Sequence, residues 1–247
     1  MPKLHVILKK EEIDKEKIAG KVAVVLDVLL ATSTITAALY YGAKEVIPAL
    51  NEQEARDYAR RLEEETYCLV GEFNGKTIEG FMDPNPGALK DKVSGKTVIL
   101  STTNGTVAIN KSRNAKQLYA ASILNGKAVA DRILFSHHET VIIICSGSSD
   151  QLSLEDFYGA GYLLDCLLRE EDRDWELTDA SKAALYFYKS QEDQSYEILK
   201  ASRVGKMLTE LGFEEELKFT ASQNRIPIIP VVKGSSIRVE EYFFHKE

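Results

Sequence analysis

The sequence predicts an α/β protein with three layers, in which helices cover both faces of a largely parallel, mixed sheet. One observation supports this fold class, and a second bears on the number of domains. Short apolar runs typical of buried strands, such as Val22–Leu26, alternate with segments of helical pattern, and this order implies βαβ units. The chain also lacks a stretch rich in Gly, Ser or Pro that would act as a linker, so we expect one domain over residues 1–247.

The predicted elements alternate regularly over the first two thirds of the chain. The strands are Leu4–Leu8, Val22–Leu26, Glu45–Pro48, Tyr67–Val70, Thr97–Leu100, Gln117–Tyr119 and Val141–Cys145. The helices are Thr34–Tyr41, Glu52–Glu65, Thr106–Lys111, Ile123–Phe135 and Leu154–Arg169. Parallel strands need such crossover helices, which predicts a mostly parallel sheet.

The last third of the chain has a different pattern. Two further helices are predicted, Thr178–Lys200 and Val204–Leu211, and Gly212 ends the second. Ile226–Val232 and Ile237–Phe244 are rich in β-branched and aromatic residues, which favours strands. We expect these two segments to return to the sheet as edge strands and to make it mixed.

Part of the first half resembles a repeat. Ala43–Ala49 aligns with Ala115–Ala121, and the same offset places Thr34 and Ile35 on Thr106 and Val107. Either an ancestral duplication of a βαβ unit or the chance likeness of α/β segments explains this similarity.

Composition excludes several classes of partner. The formal net charge of −7 leaves no excess of Lys and Arg to neutralise nucleic acid or an anionic membrane. The apolar runs are too short to span a bilayer, and the N-terminus lacks the apolar segment of a signal peptide, so we expect a cytoplasmic protein. The three cysteines are widely spaced, which favours reduced thiols over a disulfide framework or a zinc site. A homo-oligomer is compatible with the sequence, which carries no signal for its size.

Two predicted strand-to-helix junctions are almost alike. Val22–Leu26 runs into Asp27 and the hydroxyl-rich segment Thr32–Thr34, while Thr97–Leu100 runs into Ser101–Thr106. Free N–H groups and a partial positive charge collect at a helix N-terminus, so hydroxyl-rich residues there suit a phosphate or a sulfonate. Helix capping is the alternative explanation. Because ligands of open α/β sheets lie beyond the carboxyl ends of the strands, we expect both junctions to form one site.

Two other segments offer carboxylates. Glu72 and Glu79 flank the turn Asn74-Gly75, where a hairpin with exposed acids is the alternative. Ser146 and Gly147 follow the strand Val141–Cys145, and Glu155 and Asp156 come shortly after them in the first turn of a predicted helix. Acidic residues are favourable in a first turn for structural reasons alone. Oxygen ligands of this kind suit Mg²⁺, which binds through one or two carboxylates together with a substrate phosphate.

These segments, taken in order, resemble a known family, the Mg²⁺-dependent 2-phosphosulfolactate phosphatases of coenzyme M and sulfolactate biosynthesis. The similarity covers most of the chain. The matching segments are Asp27–Ile35, Ile78–Phe81, Thr102–Thr106, Cys145–Gly147, Ser153–Asp156 and Gly159–Gly161. The resemblance implies an α/β fold and hydrolysis of the phosphate ester of a small sulfonated hydroxy acid, with sulfolactate and phosphate as products.

The chain departs from the family pattern at several positions. Leu30 and Phe73 stand where the pattern has arginine, Tyr158 stands where it has cysteine, and its Ser-x-His-Gly segment is Ser202–Gly205 here. Met82–Pro86 replaces its Gly-Asn-Ser-Pro turn. The loss of two arginines should weaken binding of a multiply charged anion, because bidentate arginine contacts are strong.

The sequence therefore predicts a Mg²⁺-dependent phosphatase. Asp27 with Glu155 or Asp156 would hold the metal ion, and Asp27, Glu72 and Glu79 are the candidate catalytic carboxylates. The candidate substrate-binding residues are Thr32, Ser33, Thr34, Thr102, Thr103, Asn104, Gly105, Ser146 and Gly147. Direct attack by water and an aspartyl-phosphate on Asp27 both fit this set. The alternatives are a phosphatase for another small phosphate ester, and a non-catalytic descendant that binds an anionic metabolite.

Overall fold

The computed structural model describes residues 1–136, 140–169 and 174–241. The strands in these ranges are β1 (Lys3–Ile7), β2 (Val22–Leu26), β3 (Glu45–Ala49), β4 (Tyr67–Phe73), β5 (Lys76–Thr77), β6 (Thr97–Ser101), β7 (Gln117–Ala121), β8 (Thr140–Cys145), β9 (Glu176–Leu177), β10 (Pro230–Lys233) and β11 (Ser236–Val239). The helices are α1 (Lys15–Ile18), α2 (Ala31–Tyr40), α3 (Glu52–Ala59), α4 (Pro86–Leu89), α5 (Gly105–Lys111), α6 (Gly126–Phe135), α7 (Leu154–Leu167), α8 (Asp179–Ser190), α9 (Ser195–Ala201), α10 (Arg203–Glu210) and α11 (Glu214–Thr220). A short 3-10 helix, Lys10–Glu12, follows β1.

The predicted α/β alternation is confirmed, and the seven strands predicted in the first part of the chain are β1 to β4 and β6 to β8. Two helix predictions are too long. The helix predicted over Glu52–Glu65 ends at Ala59, because three successive glutamates are unfavourable at the negative end of a helix dipole. The helix predicted over Thr178–Lys200 is two helices, α8 and α9, separated by a turn.

The strands of the described residues form one sheet in the order β5-β4-β6-β3-β11-β10-β7-β2-β8-β1-β9. Parallel pairing joins β4, β6 and β3 on one side, and β7, β2, β8, β1 and β9 on the other. The antiparallel hairpin of β10 and β11 lies between these two groups. The sheet is thus largely parallel and mixed, as predicted.

The position of the C-terminal hairpin differs from the prediction. We expected its strands at the edges of the sheet, yet β10 pairs with β7 and β11 pairs with β3 at the centre. Val231 and Ile237 are buried there, so their β-branched side chains fill the core between the two groups. The part of the prediction that covers Tyr242–Phe244 lies outside the described residues.

The two parallel groups run in opposite directions. Three antiparallel pairings, β7 with β10, β10 with β11 and β11 with β3, separate them. In a flat sheet, the five spacings between β2 and β6 would hold them about 24 Å apart. However, Gly105 lies four residues beyond the end of β6, a reach of about 14 Å, and contacts Asp27 at the end of β2. The sheet must therefore twist and curve strongly between the two groups.

Helices cover both faces of this curved sheet, which gives the predicted three layers. Val22, Val24 and Leu26 of β2 face a core cluster with α6 to α11. Ala23 and Val25 face the opposite cluster, which also buries residues of α2, α4 and α5. A smaller cluster packs α3 against β6. In the cluster that contains Ala23 and Val25, α2 and α5 pack against strands of both parallel groups.

The two segments predicted as repeats have the same order of elements, β2-α2-β3 and β6-α5-β7. Their strands interleave: β2 pairs with β7, and β3 pairs with β6. The duplication itself stays a prediction.

Candidate functional site

A cavity of about 610 Å³ lies where the two parallel groups meet, at the N-terminal ends of α2 and α5. We call it the site cavity. Its polar and charged lining residues are Lys10, Glu11, Asp27, Glu72, Asn74, Thr102, Thr103, Asn104, Ser148, Ser149, Asp150 and Arg203. Leu29, Leu30, Ala31, Gly75, Pro84, Val204 and Met207 complete it. Asp27 and the Thr102–Asn104 segment share this space, which confirms the predicted convergence of the two junctions.

Asp27 follows β2 directly and forms part of the cavity wall, although only 7% of the residue is exposed. Its carboxylate accepts hydrogen bonds from two backbone N–H groups, those of Ala31 (3.4 Å) and Gly105. These donors stand at the starts of α2 and α5. Asp27 therefore lies at the contact between the two junctions.

The three hydroxyl residues that follow Asp27 are turned away from the cavity. Thr32 Oγ1 donates to the Asp27 carbonyl (2.9 Å), Ser33 Oγ donates to the Val28 carbonyl (2.8 Å), and Thr34 Oγ1 donates to the Leu30 carbonyl (2.9 Å). All three residues are fully buried, and none lines the site cavity. Their hydroxyls stabilise the start of α2, so we leave Thr32, Ser33 and Thr34 out of the substrate-binding set.

The second junction does face the cavity, and Glu72 at the end of β4 holds it in place. Glu72 Oε1 accepts a hydrogen bond from the Thr103 N–H (2.7 Å), and Glu72 Oε2 accepts from the Thr103 hydroxyl (3.1 Å) and from the Gly75 N–H (2.7 Å). The Asn74 N–H donates to Thr103 Oγ1 (2.9 Å). Three donors thus contact the Glu72 carboxylate, which positions Thr103, and the catalytic role of Glu72 stays a prediction.

Gly105 permits the close contact between the junctions. A Cβ atom at this position would lie 2.5 Å from Ala31 Cβ and 2.6 Å from Asp27 Oδ2. Such distances are far inside van der Waals contact, so a side chain would push α5 away from Asp27. Gly105 is buried and contributes its N–H to Asp27, which differs from the predicted direct contact with substrate.

Burial raises the pKa values of the carboxylates around Asp27, and mutual repulsion adds to this effect for Asp27 and Asp156. Burial, and then the charges of Glu72 and Glu155, raise the pKa of Asp27 to about 7. Burial, and then the charges of Asp27 and Glu155, raise the pKa of Asp156 well above its usual value. Burial also raises the pKa of Glu155, against the opposing effects of its own backbone N–H, the Ser202 hydroxyl and the Arg203 charge. A cation beside Asp27 would relieve this repulsion.

Glu155 and Asp156 lie behind the cavity wall and do not line it. Asp156 accepts hydrogen bonds from the Val28 N–H (2.8 Å) and the Gly147 N–H (3.2 Å), so it braces the ends of β2 and β8 against α7. Ser146 is fully buried, and its hydroxyl has no partner among the described residues. Neither Ser146 nor Gly147 lines the cavity, so the structure does not bring them to the substrate space.

Glu79 lies outside the site. It is exposed beyond the β4–β5 hairpin, where its backbone carbonyl accepts a hydrogen bond from Arg56 (2.7 Å). Glu72 and Glu79 flank the same turn in the sequence, but only Glu72 is at the end of a strand that reaches the cavity.

Two cations line the cavity that the sequence did not single out. Lys10 is buried, and its Nζ contacts Asn104 Oδ1 (2.8 Å) and Glu11 Oε1 (2.9 Å). Its place just beyond the predicted first strand was a usable signal. Arg203 begins α10, and the Ser202–Gly205 segment was known only as a departure from the family pattern. No local pattern connects α10 with the sheet.

The residues present fit Mg²⁺ in donor chemistry, although the described part of the chain holds no group of three or more His, Cys, Asp or Glu residues arranged to chelate a metal ion. Mg²⁺ seldom needs such a cage, since water and substrate phosphate fill most of its six positions. Asp27 is the buried carboxylate at the cavity, and Asn104 adds an amide oxygen nearby.

The fold and this cavity define an α/β protein with an acidic and hydroxyl-lined site for a small ligand. A family model described as 2-phosphosulpholactate phosphatase matches residues 7–235. A protein of Clostridium perfringens (strain SM101 / Type A), named probable 2-phosphosulfolactate phosphatase, is 40% identical over 244 residues, 97% of each chain. A protein of the same name from Caldanaerobacter subterraneus subsp. tengcongensis is 37% identical over 94% of this chain and 95% of its own.

A third relative with this name, from Clostridium acetobutylicum, is 36% identical over 95% of this chain and 99% of its own. Identity at this level, spread over nearly the whole length, settles the family. The chain belongs to the 2-phosphosulfolactate phosphatase family, a family of phosphoric monoester hydrolases. None of the helices in the described ranges is long and apolar enough to cross a membrane.

Proposed function

We propose that this protein hydrolyses 2-phosphosulfolactate to sulfolactate and phosphate with Mg²⁺ as cofactor. The family and the names of its relatives support this substrate. The single observation that carries the site assignment is Asp27, a buried carboxylate at a cavity that it shares with Thr102, Thr103 and Asn104.

In this proposal the phosphoryl group would lie between Asp27 and the Thr102–Asn104 segment. Lys10 reaches the same place, because its Nζ bonds to Asn104 Oδ1 (2.8 Å). An ammonium group and hydroxyl or amide donors balance the negative charge of a phosphate ester. Glu72 contributes by fixing Thr103, through hydrogen bonds to both its N–H and its hydroxyl.

Asp27 would hold Mg²⁺, and substrate oxygens and water would complete the coordination. When bound, the ion would supply charge neutralisation at the phosphoryl group and would polarise it toward attack. Asp27 must be at the phosphoryl group whether water attacks directly or through an aspartyl-phosphate. The ligand roles of Glu155 and Asp156 stay predictions, since both lie behind the cavity wall.

The proposal is tested by phosphate release from 2-phosphosulfolactate by the purified protein, with Mg²⁺ and with a chelator. We expect turnover with Mg²⁺ and its loss with the chelator, restored by added Mg²⁺. No turnover under either condition would contradict the proposed substrate. Turnover of other small phosphate esters in its place would select a phosphatase of different specificity.

The sulfonated product suits the biosynthesis of sulfolactate or coenzyme M, which we propose as the setting of the reaction. We further propose a cytoplasmic location, since all three cysteines are free and buried, as in proteins of reducing compartments.

A further inference from the structure

Arg203 is the arginine of the site cavity, and its charge acts on the buried Glu155. It lines the site cavity, and its Nη2 donates to the hydroxyl oxygens of Ser148 and Ser149, the latter at 3.2 Å. No carboxylate in the described part of the chain forms an ion pair with it, whereas Arg238 pairs with Glu45. A guanidinium that lines a cavity and contacts only neutral oxygens can accept an anion without first losing a salt bridge.

The two serines add donors to this place. Ser148 Oγ and Ser149 Oγ act as acceptors toward Arg203, and neither hydroxyl proton is donated to another described residue. Each hydroxyl can therefore donate its proton to a ligand. One guanidinium and two hydroxyls converge on the same wall of the cavity.

Of the two cations that line the cavity, Lys10 has a carboxylate partner and is assigned to the phosphoryl group, whereas Arg203 has no salt bridge among the described residues. Lys10 is already engaged by Glu11 and Asn104. Asp150 pairs with Lys9 (2.8 Å), and Glu72 is held by backbone and hydroxyl donors. Leu30, which stands where the family pattern has arginine, lines this same cavity. A cation at position 203 thus faces the space that an arginine at position 30 would face.

We propose that Arg203, together with the hydroxyls of Ser148 and Ser149, forms a subsite for the sulfonate of the substrate, away from the phosphoryl group at Asp27. This subsite rests on the proposed function and deepens it. Three oxygens on one sulfur match a planar fork of N–H donors with two flanking hydroxyls. The subsite is built from the start of α10 and from the two serines that follow Gly147.

The test compares two substrates, 2-phosphosulfolactate and 2-phospholactate, which is the same ester without the sulfonate. We expect Arg203→Met to lower kcat/KM for the sulfonated ester about tenfold to a hundredfold, mostly through KM, because a charge-assisted contact of substrate is lost. The unsulfonated ester should change less than about threefold, because it makes no such contact. Arg203→Lys, which keeps the charge without the fork, should lie between the wild type and Arg203→Met.

Lys206→Met is the matched control, since Lys206 is an exposed cation on the same helix and does not line the cavity. It should leave both substrates unchanged. Equal losses on both esters with Arg203→Met, or no loss on either, would overturn the subsite.

A binding measurement separates this proposal from the proposed function. Calorimetry with 3-sulfolactate and no metal should show binding to the wild type and to Lys206→Met, and weaker binding to Arg203→Met. This result would support the subsite even if the wild type hydrolysed neither ester, an outcome that would defeat only the phosphatase assignment. Equal affinity of wild type and Arg203→Met, or no binding to the wild type, would contradict the subsite.

Discussion

The two strand-to-helix junctions are nearly identical in sequence character, yet they have different tasks in the folded chain. After β2, the hydroxyls of Thr32, Ser33 and Thr34 bond to backbone carbonyls and fix the start of α2. After β6, Thr103 and Asn104 face the cavity and are held by Glu72 and Lys10. The difference teaches that a hydroxyl at a helix start becomes a ligand-binding group only when other side chains keep it free of the backbone.

The largest expected effect is at Asp27, where the two junctions touch. Asp27→Asn should lower kcat by about a thousandfold or more, since it removes the charge at the proposed metal and phosphoryl position. The melting temperature should hold or rise, because a buried carboxylate repelled by Glu72 and Glu155 is lost. Steady-state kinetics and thermal melting measure both effects.

Asp165→Asn is the matched control for removing a buried carboxylate. Asp165 is a buried carboxylate on α7, away from the cavity, where it pairs with Lys189 (2.6 Å) and Arg169 (3.2 Å). It should destabilise the protein by about 1–2 kcal/mol and keep normal turnover. Normal turnover by Asp27→Asn would remove Asp27 from the mechanism.

The next effect concerns Gly105. Gly105→Ala should destabilise the protein by about 1–3 kcal/mol and reduce activity, because its methyl group would overlap Ala31 and Asp27. Denaturant unfolding measures the first effect. Gly212→Ala serves as a control for strain alone: a Cβ there meets nothing within 4 Å, but φ is +82°. A Gly105→Ala protein with full stability and full activity would show that the junctions need no close contact.

Substitution of the two acids that flank the Asn74-Gly75 turn should have a smaller effect on activity, and a different one for each acid. Glu72→Gln should lower kcat/KM about tenfold, because an amide cannot accept all three of the hydrogen bonds that fix Thr103 and Gly75. Glu79→Gln should have no effect on the same assay, since Glu79 is exposed outside the cavity. Equal losses in both variants would contradict the different roles of these two acids.

The smallest expected effects compare one hydroxyl of the first junction, on Ser33, with one of the second junction, on Thr103. Ser33→Ala should destabilise the protein by about 1 kcal/mol through its lost hydrogen bond to the Val28 carbonyl, with KM unchanged. Thr103→Ala should raise KM about threefold to tenfold. If Ser33→Ala raised KM as much as Thr103→Ala, the hydroxyls of the first junction would have to reach the substrate after all.

Local patterns predicted most of the elements. Apolar runs such as Val22–Leu26 identify buried strands because every residue of that run is buried. Features that depend on contacts between distant segments of the chain could not be predicted. The central place of β10 and β11 depends on which strands leave a gap between them, and the sequence of the hairpin does not carry that information.

The convergence of the junctions was predicted for a reason that is only partly correct. We expected them at one edge of a parallel sheet, but β2 and β6 belong to groups that run in opposite directions. Strong curvature brings them together. Arg203 could not be placed for a related reason, since no local pattern connects α10 with the sheet, whereas Lys10 lies just beyond the first predicted strand.

The central claim is that Asp27 and the Thr102–Asn104 segment form one phosphate and metal site. A crystal structure of the protein with Mn²⁺ and inorganic phosphate tests it most directly, because manganese can replace magnesium at oxygen ligands and is located by its anomalous signal. We expect the metal peak at the Asp27 carboxylate and the phosphate within hydrogen-bond distance of Thr103 or Asn104. A metal or phosphate bound elsewhere, with this cavity filled only by water, would contradict the claim.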